Sequence, residues 1–93
     1  MFELGNVVCT ASVAEQMESN AAFAFYVEKA LSMHATGNWG DLCDEDWESN
    51  QQALQNGGRL FSAYYTDYTQ TEKIWIITED DRSVTTVLFP DEY

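Results

Sequence analysis

The segment Lys73-Ile74-Trp75-Ile76-Ile77-Thr78 constrains the fold more than any other. Its apolar residues occupy both faces of a period-two strand, so neither face suits water. Such a strand is predicted to lie at the centre of a sheet. Its sequence neighbours supply the flanks. Arg59 to Thr66 alternates, with Phe61, Ala63 and Tyr65 on one face and Leu60, Ser62 and Tyr64 on the other. Ser83 to Phe89 reads as a last strand, stopped by Pro90, which cannot donate to a ladder. Asp67-Tyr68-Thr69-Gln70-Thr71 and Glu79-Asp80-Asp81-Arg82 are the turns between them. The three strands are predicted to form an antiparallel meander.

The first half of the chain is helical in pattern. Asn6 to Thr10 reads as a short strand after Gly5. Ser12-Val13-Ala14-Glu15 has capping-box spacing and predicts a short helix to about Ser19. Asn20 can cap a second helix, in which Phe23, Tyr26, Val27, Ala30, Leu31 and His34 share a face and Gly37 is the stop. Asp41 is expected to cap a third helix reaching about Gln55, with Asp44 at the third helical position. At 100° per residue, Cys43, Trp47, Asn50 and Leu54 converge on one side of it, and Asp41, Asp44, Glu45 and Glu48 fall on the other. The expected fold is one α+β domain over residues 1–93: a short N-terminal strand, three helices, then the three-stranded meander, with the helices on one face of the sheet.

Charge decides which partners such a domain can meet. Sixteen Asp and Glu against four Lys and Arg give a net charge of −12. Nucleic acid and anionic membrane surfaces would be repelled, so the charge points to a basic protein surface as partner, or to a solvated acidic face that serves solubility alone. An aromatic share of 14% separates the chain from disordered acidic tails. No apolar run approaches the ~18 residues of a spanning helix. The N-terminus shows no secretory pattern, so the expected location is the cytoplasm. Cys9 and Cys43 fit neither a CxxC motif nor a Cys/His ligand spacing and read as two buried free thiols. Oligomeric state has no signature here.

Several residue runs carry a family resemblance. They are His34-Ala35-Thr36-Gly37-Asn38-Trp39-Gly40-Asp41, Glu45-Asp46, Asn50, Arg59 with Ser62-Ala63-Tyr64, Lys73 to Glu79, Asp81 to Leu88, Pro90 and Glu92-Tyr93. Together they resemble a family of small bacterial proteins labelled plasmid-related proteins, found on plasmids and other mobile elements. Some of those carry labels referring to restriction systems. The likeness covers His34 to Tyr93 closely and Val7 to Ala24 loosely. It implies a mobile-element setting and brings no catalytic residues with it.

The candidate chemistry is correspondingly thin. His34 has no nucleophile or orienting partner in sequence, and its place near a helix C-terminus accounts for it. Gly37 to Gly40 is followed by Asp41 rather than Lys, which excludes a phosphate cradle. Asn50 points inward and is expected to tie backbone in the Trp39 loop or the sheet. Arg59, Lys73 and Arg82 lie among acids and are expected to pair within the chain. No catalytic, metal or cofactor residue is assigned. The protein-binding candidates are Asp41, Asp44, Glu45 and Glu48, with Glu79, Asp80 and Asp81. The sequence reading is a non-enzymatic acidic binding protein that docks on a basic nuclease or other DNA-binding protein as a DNA mimic. The alternatives are a small-ligand module or minor enzyme using the Trp39–Asp41 loop, and a plasmid regulatory or antitoxin-like partner.

Overall fold

The computed structural model describes residues 2–66 and 72–93, so the turn expected at 67–71 lies outside the described residues. The elements run β1 (Asn6–Cys9), α1 (Ala11–Ser19), α2 (Ala21–Ala35), α3 (Asp44–Asn56), β2 (Leu60–Tyr65), β3 (Lys73–Thr78) and β4 (Val84–Leu88), then a 3-10 turn at Pro90–Glu92. The class is α+β, with three helices as expected.

The sheet differs from the expectation. It has four strands in the order β1-β4-β3-β2 and is mixed. β2, β3 and β4 form the antiparallel meander, with β3 inside it. β1 joins as an outer strand parallel to β4, Asn6 opposite Val84. A parallel neighbour needs a long crossover, and α1, α2, α3 and two strands intervene here. No local pattern announces such a pairing.

One sheet face carries the main core. Tyr64, Ile74, Ile76 and Val87 pack against Val13 of α1 and Phe23, Val27 and Ala30 of α2. Leu60 packs with Trp39, Ala53 and the partly buried Trp47 and Leu54 in a second cluster. α3 therefore meets the sheet at β2, alongside its edge, rather than lying over a face as expected. The other face keeps Phe61 and Trp75 half-buried, ring edge to ring face at 4.9 Å. Tyr93, just past the 3-10 turn, adds a third ring 5.7 Å from Trp75.

Helix starts also move. Thr10, not Ser12, caps α1, its hydroxyl accepting from the Val13 N–H. Asn20 caps α2 as expected, accepting from the Phe23 N–H at 3.1 Å. α3 starts after Cys43, so Asp41 is neither its cap nor part of it. Asp41 N–H instead donates to the Ala63 carbonyl, and its carboxylate meets Lys73 Nζ at 2.8 Å. Both thiols are exposed, against the expectation of burial, because Cys9 lies on the outer strand and Cys43 at a helix start.

Candidate functional site

The two edges of the sheet are built differently, and that difference organises the surface. On β2 the N–H and C=O groups of Phe61 and Ala63 point away from β3. Each such group must find a partner or water. Asn50 of α3 reaches Phe61 with both ends of its amide: Nδ2 donates to the Phe61 carbonyl at 2.6 Å, and Oδ1 accepts from the Phe61 N–H at 3.0 Å. One side chain thus imitates a neighbouring strand residue. The next pair is met by the chain after α2. Ala63 N–H donates to the Trp39 carbonyl at 3.2 Å, and Asp41 N–H to the Ala63 carbonyl at 2.7 Å. Gly40 makes that approach possible: at φ +77°, a Cβ there would stand 2.1 Å from the Ala63 carbonyl oxygen. The expectation that Asn50 ties backbone of the sheet is borne out.

Among the described residues the β1 edge has no such cover. Asn6 N–H donates to the Ser83 carbonyl and Thr10 N–H to the Val87 carbonyl, both toward β4. Alternation along the strand turns the N–H and C=O of Val7 and Cys9 outward. All four strand residues are exposed, Val7 and Val8 at 46% each.

Between these edges runs a buried polar line. His34 is completely buried and sits edge-on to the Trp39 ring at 5.5 Å. Its Nδ1 meets the Ser62 hydroxyl on β2, and its Nε2 lies 2.9 Å from Thr78 Oγ1 on β3. Thr78 is 2.8 Å from Thr85 Oγ1 on β4, which donates to the Leu4 carbonyl at 2.7 Å. The last bond fixes every proton. Thr85 gives its only hydrogen to Leu4, so Thr78 donates to Thr85 and accepts from His34 Nε2–H. Nδ1 is then the acceptor, and Ser62 donates to it. The ring is held neutral, its pKa pushed down to about 4 by burial, with the Arg82 charge adding. This role differs from the end-carbonyl role expected for His34. A Ser–His pair suggests a nucleophile, but no substrate reaches groups with no exposed surface. The Trp39 indole Nε1, also buried, finds no acceptor among the described residues.

The cations are largely absorbed by the fold. The Arg82 fork donates to the carbonyls of Gly58 at 2.6 Å, Ala53 at 3.0 Å and Glu79 at 3.1 Å. It ties the end of α3 to the β3–β4 hairpin while its own backbone stands at φ 63°. Arg59 meets Glu79 at 3.6 Å and Tyr93 Oη at 3.2 Å.

The acidic candidates separate into used and free groups. Asp41 is held by Lys73, whose hydrogen bond and charge keep its carboxyl below the usual range. Glu79 pairs with Arg59. Asp81 accepts from the Ser83 N–H at 3.0 Å and hydroxyl at 2.6 Å, which lowers its pKa. Asp44, Glu45, Glu48 and Asp80 are exposed and make no ion pair among the described residues. Asp46, not singled out from the sequence, joins them in the first turn of α3, where the helix dipole favours acids. The α3 and hairpin acids do not merge. Arg82 holds the hairpin at Ala53, five to nine residues beyond Asp44–Glu48, or roughly 8–14 Å along the helix.

The loop Trp39–Asp41 is engaged in closing the β2 edge. A groove of about 350 Å³ lies on the open sheet face, lined by Arg59, Phe61, Trp75, Ile77 and Tyr93. No group of three or more His, Cys, Asp or Glu among the described residues could hold a metal ion, and no helix of the described residues is long and apolar enough to cross a membrane. No family model, curated protein or solved structure matches the chain.

Proposed function

We propose that this chain is a non-enzymatic binding protein that docks its acidic surface on a basic protein, in competition with DNA. The observation that carries the reading is the division of labour on α3. Asn50 and Ala53 lock the helix to the sheet edge and the second core cluster, while Asp44, Glu45, Asp46 and Glu48 stand in water. Neighbouring acids three and four apart on such a face lie ~5–6 Å from one another, a charge spacing within a factor of two of a nucleic-acid strand. The groups with catalytic potential, His34 and Ser62, are sealed under the helices. A setting on mobile elements, and a nuclease as the partner, follow from the resemblance described above and belong to this proposal.

The test is displacement of a labelled DNA duplex from a panel of basic DNA-binding proteins. The wild-type chain is expected to compete against at least one, most strongly at low salt. Glu45→Gln/Glu48→Gln should compete about fivefold more weakly or worse, and Glu18→Gln/Glu28→Gln, with the same charge change on exposed parts of α1 and α2, should match wild type. Equal loss in both double variants would leave only net charge and remove the α3 face from the account.

The groove beneath Tyr93 favours a second reading, a module for a small apolar ligand. Three aromatic rings around one polar group resemble the lining of ligand sites in general. Quenching of tryptophan fluorescence by a ligand, lost in Phe61→Ala, would support it.

A further inference from the structure

We propose that the free edge of β1 is a strand-addition site, taking an extended segment of the partner with a β-branched centre and Lys or Arg at both ends. This rests on the acidic-docking reading and says where the partner's chain lies.

Three observations carry it. The first is the backbone. Val7 and Cys9 present two N–H donors and two C=O acceptors along an exposed edge, the groups by which an added strand binds. The second is that, apart from its short length, the strand itself carries none of the usual guards, and no described residue covers it. Exposed edges are ordinarily protected by charge, proline, a bulge or a covering loop. Asn6-Val7-Val8-Cys9 contains no charge and no proline, in a chain with sixteen acids, and its register with β4 runs without a bulge. The opposite edge is closed at Phe61 and Ala63 by Asn50 and the Trp39–Asp41 segment.

The third is the charge at the two ends. Glu3 is exposed just before the strand, and Asp81 sits beside it through Ser83, whose carbonyl receives the Asn6 N–H. At the far end Glu92 accepts from the Thr10 hydroxyl at 2.8 Å. The edge is therefore neutral in the middle and acidic at both limits. This pattern selects among occupants. A second copy in antiparallel pairing would bring acidic end against acidic end, with −12 on each molecule. A segment with basic flanks meets attraction at both ends.

The experiment titrates the chain with a short peptide of alternating valine and threonine between lysine pairs. Its comparison peptide has the same sequence with alternate backbone nitrogens methylated, which keeps charge and side chains but removes the donors along one edge and blocks close approach there. The parent peptide should bind at least about tenfold more tightly than the methylated one. Val7→Pro should lose a similar factor, because proline deletes an outward donor and leaves the ladder to β4 intact. Glu45→Gln/Glu48→Gln should retain the methylation sensitivity. If both peptides bind alike, attraction is only charge: the strand-addition site is wrong while the acidic-docking reading stands. If methylation-sensitive binding is seen but no DNA-binding protein is displaced in the earlier assay, the edge site stands and that reading falls. A wild-type dimer in sedimentation that Val7→Pro dissociates would overturn the proposal in favour of a second copy. Should Val7→Pro lose its fold by circular dichroism, the two peptides on wild type decide alone.

Discussion

The β2 and β1 edges begin from the same problem, a row of peptide groups facing away from the sheet. They end in opposite states. At β2 the outward groups of Phe61 and Ala63 are met by a helix side chain and by a loop that pairs like a strand. At β1 the corresponding groups of Val7 and Cys9 face solvent. The difference is not one of composition, since neither strand interior carries an acid. It comes from what the chain brings alongside. α3 and the Trp39–Asp41 segment stand next to β2 because the short connection through Gly57, Gly58 and Arg59 places α3 directly before it. β1 begins the fold and reaches β4 late, and no other element lies beyond it in the sheet order. An edge is closed by supplying donors and acceptors at the right spacing, and charge alone does not do this.

Opening the closed edge should have the largest effect. Asn50→Ala leaves the Phe61 N–H and C=O without their partner beneath α3. The expected cost is about 2–4 kcal/mol, read from thermal or urea unfolding, since two bonds to partly buried backbone are lost together. A change within about 0.5 kcal/mol would show that water replaces Asn50 freely and that β2 is no better closed than β1.

A smaller effect comes from the polar line that joins the two edges. The His34 pKa is depressed from 6.5 to about 4 in the fold. Its contribution is therefore complete above pH 6.5 and falls away as pH drops toward the native value. The unfolded chain takes up a proton that the folded chain refuses. Between pH 7.5 and 5 the loss should be about 2 kcal/mol, and His34→Gln should flatten it. Carboxylates remain ionised across most of that window, so their titration does not mask the slope. Stability that rises steadily from pH 7.5 to 5 would mean that relief of acid repulsion outweighs His34.

Much of this frame was legible in the sequence. Lys73 to Thr78 announced itself as the inner strand, because apolar residues on both faces mark a strand covered on both, and such cover is found in the middle of a sheet: Ile74 and Ile76 meet the helices, and Trp75 meets Phe61 and Tyr93. Asn20 as a cap and Asn50 as an inward amide were legible because a polar residue in an apolar context has few satisfactory partners. What stayed hidden was long-range. The pairing of β1 with β4 joins opposite ends of the chain and has no local signature. Asp41 has the chemistry of a helix cap, and nothing nearby reveals that Lys73 and Ala63 compete for it. His34 sits where helix ends often place a histidine, but its partners Ser62, Thr78 and Thr85 come from three strands. Of the acidic candidates, sequence could not separate the free groups on α3 from those that Lys73, Arg59 and Ser83 engage.

The contrast between the two edges is read most directly by amide hydrogen exchange. The Phe61 and Ala63 N–H groups should be slowed by roughly a hundredfold or more relative to free peptide, because Asn50 and the Trp39 carbonyl hold them. The Val7 and Cys9 N–H groups should exchange within about tenfold of free peptide, while Asn6 and Val8 on the same strand, and Thr10 just past it, are protected by β4. Alternating protection along β1 with uniform protection at Phe61 and Ala63 is the expected result. Protection of Val7 and Cys9 equal to that of Phe61 and Ala63 in the isolated chain would contradict it, because the edge proposed to receive a partner would already be closed.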